Sequence, residues 1–173
     1  MQAFSAPALI RGQLISNNPV QFGGRDGESA FLAPDPMTLV DRLPLKDPGV
    51  LRELYTLSID DILDYLVELG NHLHLSNNEF LQEALANSYA MSDQTPPLLH
   101  RQYATLPFLF NREILREGVE IPIGIRYLEG WSPMQMADGR IASIRAFGAR
   151  SLHIVAGNSP LVSAITIIRN ALT

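Results

Sequence analysis

At 173 residues the chain is long enough for one ordinary domain with a self-supporting core. Hydrophobic residues make up 46% and charged residues 18%, a balance that excludes a disordered chain. The formal net charge is −5, and residues 1–111 carry 13 acidic against 6 basic side chains, which argues against a nucleic-acid surface. Residues 112–173 carry 7 basic and 5 acidic side chains, an excess small enough for surface chance, though it tolerates an anionic ligand.

No cysteine occurs, so the chain holds no disulfide, no thiolate metal site and no thiol nucleophile. Lys46 is the only lysine and sits in the turn-like Pro44-Leu45-Lys46-Asp47-Pro48, a poor setting for a Schiff base. Met1 to Leu14 lacks a basic region followed by an apolar block, so no secretory signal is expected. The most apolar window, Leu152 to Ile168, is interrupted by His153 and by Gly157 to Pro160, which excludes a membrane span there. A cytoplasmic protein is the default expectation.

In chain order, residues 8–15 read as one strand, Asn17-Asn18-Pro19 breaks it, and Gly23-Gly24-Arg25-Asp26-Gly27 reads as a hairpin tip. That glycine cluster lacks the spacing of a dinucleotide loop. Prolines at 34, 36, 44 and 48 mark a connecting segment around a short helix, Met37 to Leu43. Ser58 with Asp61 forms a capping box, and Ile59, Ile62, Leu63, Leu66, Val67, Gly70 and Leu73 form one helix face. Ser76 with Glu79 repeats the device for a second helix containing Phe80, Leu81, Ala84, Leu85 and Tyr89. Thr95 before Pro96 starts a third, and Asn111 starts a fourth that ends at Gly118.

From Ile121 the period changes. Gly124 to Met136 and Arg140 to Phe147 read as extended runs flanking Ala137-Asp138-Gly139, a hairpin signal. Trp131 and Tyr127 are expected to anchor that hairpin on the helical block. An apolar strand over 151–156 then meets a Gly-Asn-Ser turn, and Pro160 opens a helix with Leu161, Ala164, Ile165, Ile168, Ala171 and Leu172 on one stripe. The expected segments are therefore 1–57, extended with a hairpin and turns; 58–120, helical; 121–150, a β-hairpin; and 151–173, a first strand and helix. The fold class is α/β. A strand with its crossover helix normally feeds a parallel neighbour, and none follows, so the chain reads as the front part of an enzyme.

Asn158 is the leading candidate for chemistry. At the mouth of a strand–turn–helix its amide can meet an oxygen that gains negative charge during acyl transfer. An asparagine there also simply caps a helix or relaxes a tight turn, and both readings stand. Ser159 lies where a nucleophile elbow would put its serine. Leu161 replaces the last glycine of that motif, and Pro160 removes an amide of its oxyanion hole.

His72 and His74 point in different directions on a helix, so they are expected to bind no shared metal and instead to favour the helix carboxyl end. His100 reads as packing and His153 as part of a buried strand. Asp60, Asp61, Asp64 and Glu68 read as a solvated helix face. No metal site is expected.

Ala156-Gly157-Asn158-Ser159-Pro160-Leu161 resembles the strand–turn–helix of the aldehyde dehydrogenase superfamily, whose turn typically carries Asn-x-Pro-Leu. Leu43-Pro44-Leu45, Tyr127-Leu128-Glu129-Gly130-Trp131, Asp138-Gly139-Arg140, Arg145-Ala146-Phe147-Gly148 and His153 to Asn158 are similar to acyl-CoA reductases of the bacterial bioluminescence type, which supply fatty aldehyde. The resemblance covers this whole chain but only the leading minority of a family member.

It implies the N-terminal part of an aldehyde-dehydrogenase-like fold, ending in the first strand–helix of a Rossmann-like cofactor domain. It implies NADPH as reductant, acyl-CoA or an acyl-protein thioester as substrate, an acyl-cysteine intermediate and a possible homo-oligomer. Asn158 matches the superfamily's oxyanion-stabilising asparagine, and Val155, Ala156 and Gly157 match the strand end beside the nicotinamide. Gly157 replaces a tryptophan common in ordinary aldehyde dehydrogenases. The cysteine and the cofactor-contacting lysine would follow residue 173, so the chain alone is expected to be inactive. The alternatives are a stand-alone anion- or nucleotide-binding module using the 156–160 turn, and an assembly piece acting through the 58–118 helices.

Overall fold

The structure, a computed structural model, describes residues 4–23, 30–44, 47, 49, 51–148, 153, 155 and 159–172. The chain is mixed α/β and falls into two units, Met1–Gly49 and Val50–Thr173.

The first unit is built from short strands. β1 (Phe4–Ser5) runs parallel to β5 (Ala30–Pro34), and β4 (Pro19–Gly23) pairs antiparallel with the other edge of β5, Phe22 facing Phe31. The rings of Phe4 and Phe22 stack on Phe31 at 5.6 and 5.4 Å, which fixes one face of this small sheet. The strand expected over residues 8–15 is instead a hairpin, β2 (Ala8–Ile10) with β3 (Gln13–Ile15). Its turn is Arg11-Gly12, with φ of 51° and 75°, the left-handed pair that a two-residue hairpin turn requires. Gly12 adopts that conformation without strain, and the alternation of the flanking residues hid the break. The helix expected over Met37 to Leu43 is two 3-10 turns, Pro36–Thr38 and Val40–Arg42, the first capped by Asp35.

The second unit is a helical block. α1 (Leu51–Leu54) is a single turn, and α2 (Ile59–His72) begins at the expected capping box. Ser58 Oγ accepts from the Asp61 amide at 3.0 Å, and the Ser58 amide donates to Asp61 Oδ2 at 3.2 Å. Ile59, Leu63, Leu66 and Gly70 of the expected face are buried. α3 (Glu79–Met91) is not capped by Ser76. Asn78 accepts from the Leu81 amide and donates to the His72 carbonyl, so one side chain closes α2 and opens α3. Asparagine two residues on satisfies two helix ends at once, its oxygen accepting at the start of α3 and its NH2 donating at the end of α2.

α4 (Pro96–Ala104) follows Thr95, whose side chain makes no capping bond. The 3-10 segment Leu106–Phe110 leads to α5 (Arg112–Glu120), capped by Asn111 and running two residues beyond Gly118. Leu63, Leu66, Leu99 and Val119 are fully buried among these helices, each worth about 1.5–3 kcal/mol of transfer free energy.

The extended run expected from Gly124 contains a helix, α6 (Ile125–Glu129). Gly124 enters it at a φ of 87°, and Glu120 accepts from the Ile125 amide at 2.9 Å. Ile125 and Leu128 then turn inward at helical spacing. The hairpin itself is as expected: β6 (Ser132–Gln135) pairs with β7 (Ile141–Ile144) around Ala137-Asp138-Gly139, with Gly139 at a φ of 85°. α7 (Pro160–Leu172) packs on α2, α4 and the 3-10 segment, with Ala164 and Leu172 buried and Ile165 of the expected stripe exposed.

Of the strand expected over 151–156, only His153 and Val155 lie within the described residues, and neither is in a strand.

Candidate functional site: an apolar cleft

The second unit has a cleft of about 520 Å³ between α2, α6 and α7. Ile59 and Ile62 of α2, Leu128 of α6, Ala171 and Leu172 of α7, and Ala146 beyond β7 supply its apolar wall. Pockets that bury small ligands have this size and a mostly apolar lining.

Long-range bonds hold the walls in place. Glu129 Oε1 accepts from the Ile59 amide at 2.9 Å, so α6 caps α2 across 70 residues. The Ala146 amide donates to the Tyr127 carbonyl at 2.8 Å, tying the strand exit to α6. Tyr55 closes one end: its hydroxyl donates to the Gly148 carbonyl at 3.3 Å, and its ring meets Phe147 edge-on at 5.4 Å. Trp131, 64% exposed, meets the other side of this aromatic group, its ring 6.1 Å from Phe147. The aromatic anchor is therefore Trp131–Phe147–Tyr55, in place of the expected Trp131 with Tyr127. Tyr127 instead lies on α6 with the Arg126 guanidinium 4.5 Å over its ring.

Arg145 lies 5.2 Å over the Phe147 ring and donates to the Tyr55 carbonyl at 3.3 Å, while its buried Nε has no hydrogen-bond partner among the described atoms. Asp61 also lines the cleft. Its carboxyl is held below its ordinary range by the hydrogen bond from the Ser58 hydroxyl and then by that from the Ser58 amide.

Asn158, Ala156 and Gly157 lie outside the described residues, as does Lys46. Val155 and Ser159 are half-buried, and Pro160 opens α7 as expected. His153, read as part of a buried strand, is exposed. His100, read as packing, is exposed on α4 and lines a second cavity of about 500 Å³ with His74, Ser76, Gln82 and Tyr89.

His72 lies 3.2 Å from Glu68. Among the described residues no group of three or more His, Cys, Asp or Glu side chains is placed to hold a metal. The acidic face of α2 is more than solvated: Arg112 bridges Asp60 and Asp64, and Arg116 also reaches Asp60, at 2.9 Å. No helix among the described residues is long and apolar enough to cross a membrane.

Sequence reasoning passed over Tyr55 and took Glu129 and Arg145 only as parts of the segments that carry the resemblance, without a role for either side chain. Their significance arises only from pairings across 70 to 93 positions.

Comparison of the chain with family models, with curated proteins and with solved structures gives no match to any of them.

Proposed function

We propose that the chain is the leading part of a fatty acyl thioester reductase, which converts acyl-CoA or an acyl-protein thioester to the fatty aldehyde on an aldehyde-dehydrogenase-like framework. One observation carries this reading. Tyr127–Trp131 and Arg145–Gly148, two segments on which the resemblance to bioluminescence-type acyl-CoA reductases rests, meet in space. Together they form one wall of an apolar cleft suited to a fatty chain.

In this reading Asn158 directs its side-chain amide at the thioester oxygen as that oxygen becomes negative, a contribution of about 3 kcal/mol to the barrier. Val155, Ala156 and Gly157 border the nicotinamide of NADPH, which supplies the hydride when bound. The attacking thiol belongs to a longer protein, since the chain has no cysteine. Cytoplasmic location and assembly into a homo-oligomer belong to the same proposal.

The 173-residue polypeptide, mixed with palmitoyl-CoA and NADPH, is expected to oxidise no NADPH above a blank. The gene read past the Thr173 codon is expected to encode a lysine soon after and a cysteine further on. The protein made from that complete frame should release aldehyde, and its cysteine-to-alanine variant should not. Turnover by the short polypeptide, or a complete frame without a cysteine, overturns the reading.

A further inference from the structure

We propose that the cleft between α2, α6 and α7 selects by charge: it binds an unbranched hydrocarbon chain with an uncharged polar end and turns away the matching carboxylate. This deepens the thioester reading by naming what the cleft admits. It is tested by binding alone, so either idea can fail without the other.

The apolar part of the argument is one of convergence. Single exposed hydrophobic residues are ordinary on a protein surface, but several around one concavity mark a binding site. Leu54 and Leu57 are 57% and 47% exposed and extend the apolar wall outward from Ile62 and Leu128 to the rim. A flexible chain gains from every methylene it lays against such a wall.

The selectivity lies in the charged lining. Among the described residues no Arg, Lys or His lines the cleft, whereas two acids do, Asp61 and Glu129. Both are already engaged at the start of α2. Asp61 Oδ2 accepts from the Ser58 hydroxyl at 2.7 Å and from its amide at 3.2 Å, and Glu129 Oε1 accepts from the Ile59 amide. An anionic head group therefore meets two like charges at the lining, while the neighbouring guanidinium of Arg145 lies over Phe147 and is bonded to the Tyr55 carbonyl instead of lining the cleft. A cationic head group competes with the positive end of α2, which already holds both carboxylates.

An alcohol or aldehyde avoids both penalties. Tyr65, 65% exposed at the cleft, has a hydroxyl that makes no hydrogen bond among the described residues and is free to serve such a group.

The experiment uses the 173-residue chain and the uncharged dye Nile red. Dodecanol should displace the dye saturably, with dodecanoate at neutral pH at least about tenfold weaker. Leu57→Glu and, as a second exposed site, Leu54→Glu should abolish dye and dodecanol binding while keeping the parent's circular dichroism. Ile121→Glu, at a position 82% exposed and outside the cleft lining, should bind as the parent does. Glu129→Gln keeps an acceptor for the Ile59 amide and should narrow the gap between dodecanoate and dodecanol.

Equal binding of dodecanol and dodecanoate overturns the proposal, as does unchanged binding in both folded glutamate variants. Dye uptake that falls as the protein dimerises also overturns it, because a second copy then covers the cleft.

Discussion

Phe110 lies directly on the backbone of α2 at Gly70: a Cβ placed on that glycine would stand 2.4 Å from the Phe110 Cβ. Both residues are buried, and Phe110 ends the 3-10 segment that α2 and α7 enclose. Gly70→Ala should therefore be destabilising despite alanine's better helix propensity. Overpacking costs about 1–3 kcal/mol and the propensity gain returns up to about 1 kcal/mol, leaving a net loss of up to about 2 kcal/mol when that gain is realised in full. Urea unfolding should show a lower midpoint at unchanged slope. A variant as stable as the parent would mean that Phe110 moves aside freely.

The start of α2 should respond to acid through Asp61. Its folded pKa is depressed below the ordinary 3.8, chiefly by the Ser58 hydroxyl. In the window between the two values the unfolded chain binds more protons, so stability rises with pH there. The contribution is complete above the unfolded value and disappears as pH falls through the lowered folded one. Asp61→Asn should flatten the loss of stability expected as pH falls through the unfolded value of 3.8 and below it. Ser58→Ala should cost about 1 kcal/mol through loss of the cap. An Asp61 carboxyl that titrates by NMR at or above 3.8 would contradict the assignment.

Asp60 joins α2 to α5 through Arg112 and Arg116, at 2.8 and 2.9 Å. Its side chain is 57% exposed, so solvent screens the pairs. Asp60→Ala is expected to cost about 0.5–1 kcal/mol at low salt and to lose most of that effect in molar salt. Thermal melts at two ionic strengths decide it, and a salt-independent loss would indicate packing instead.

Asn158 carries the chemical prediction that follows from the proposed function. In the complete enzyme Asn158→Ala should lower kcat about a hundred- to a thousandfold with a smaller change in KM. Ser159→Ala should leave kcat near that of the parent, because Pro160 removes an amide that a serine hydrolase would need there. The reverse pattern would favour the hydrolase.

Signals that act within a few residues decided α2, α4, α5, α7 and the β6–β7 hairpin. The Ser58–Asp61 box, Asn111, the two helix-opening prolines and Asp138-Gly139 each satisfy or redirect backbone groups one turn away, so their effect is readable in the order of residues. Local pattern failed at two segments where a turn or a side-chain cap overrode the alternation. Arg11-Gly12 turned a promising strand into a hairpin, and Gly124 with Glu120 made α6 a helix within an extended-looking run.

The residue types suited to acyl chemistry at the 155–160 turn could be named without coordinates. The cleft could not, because its walls come from α1, α2, α6, the exit of β7 and α7. Pairings such as Glu129 with Ile59, or Tyr55 with Gly148, leave no periodic trace along the chain. They join segments that the buried core of Leu63, Leu66, Leu99 and Val119 holds together, and that core is a property of the whole fold rather than of any short stretch of it.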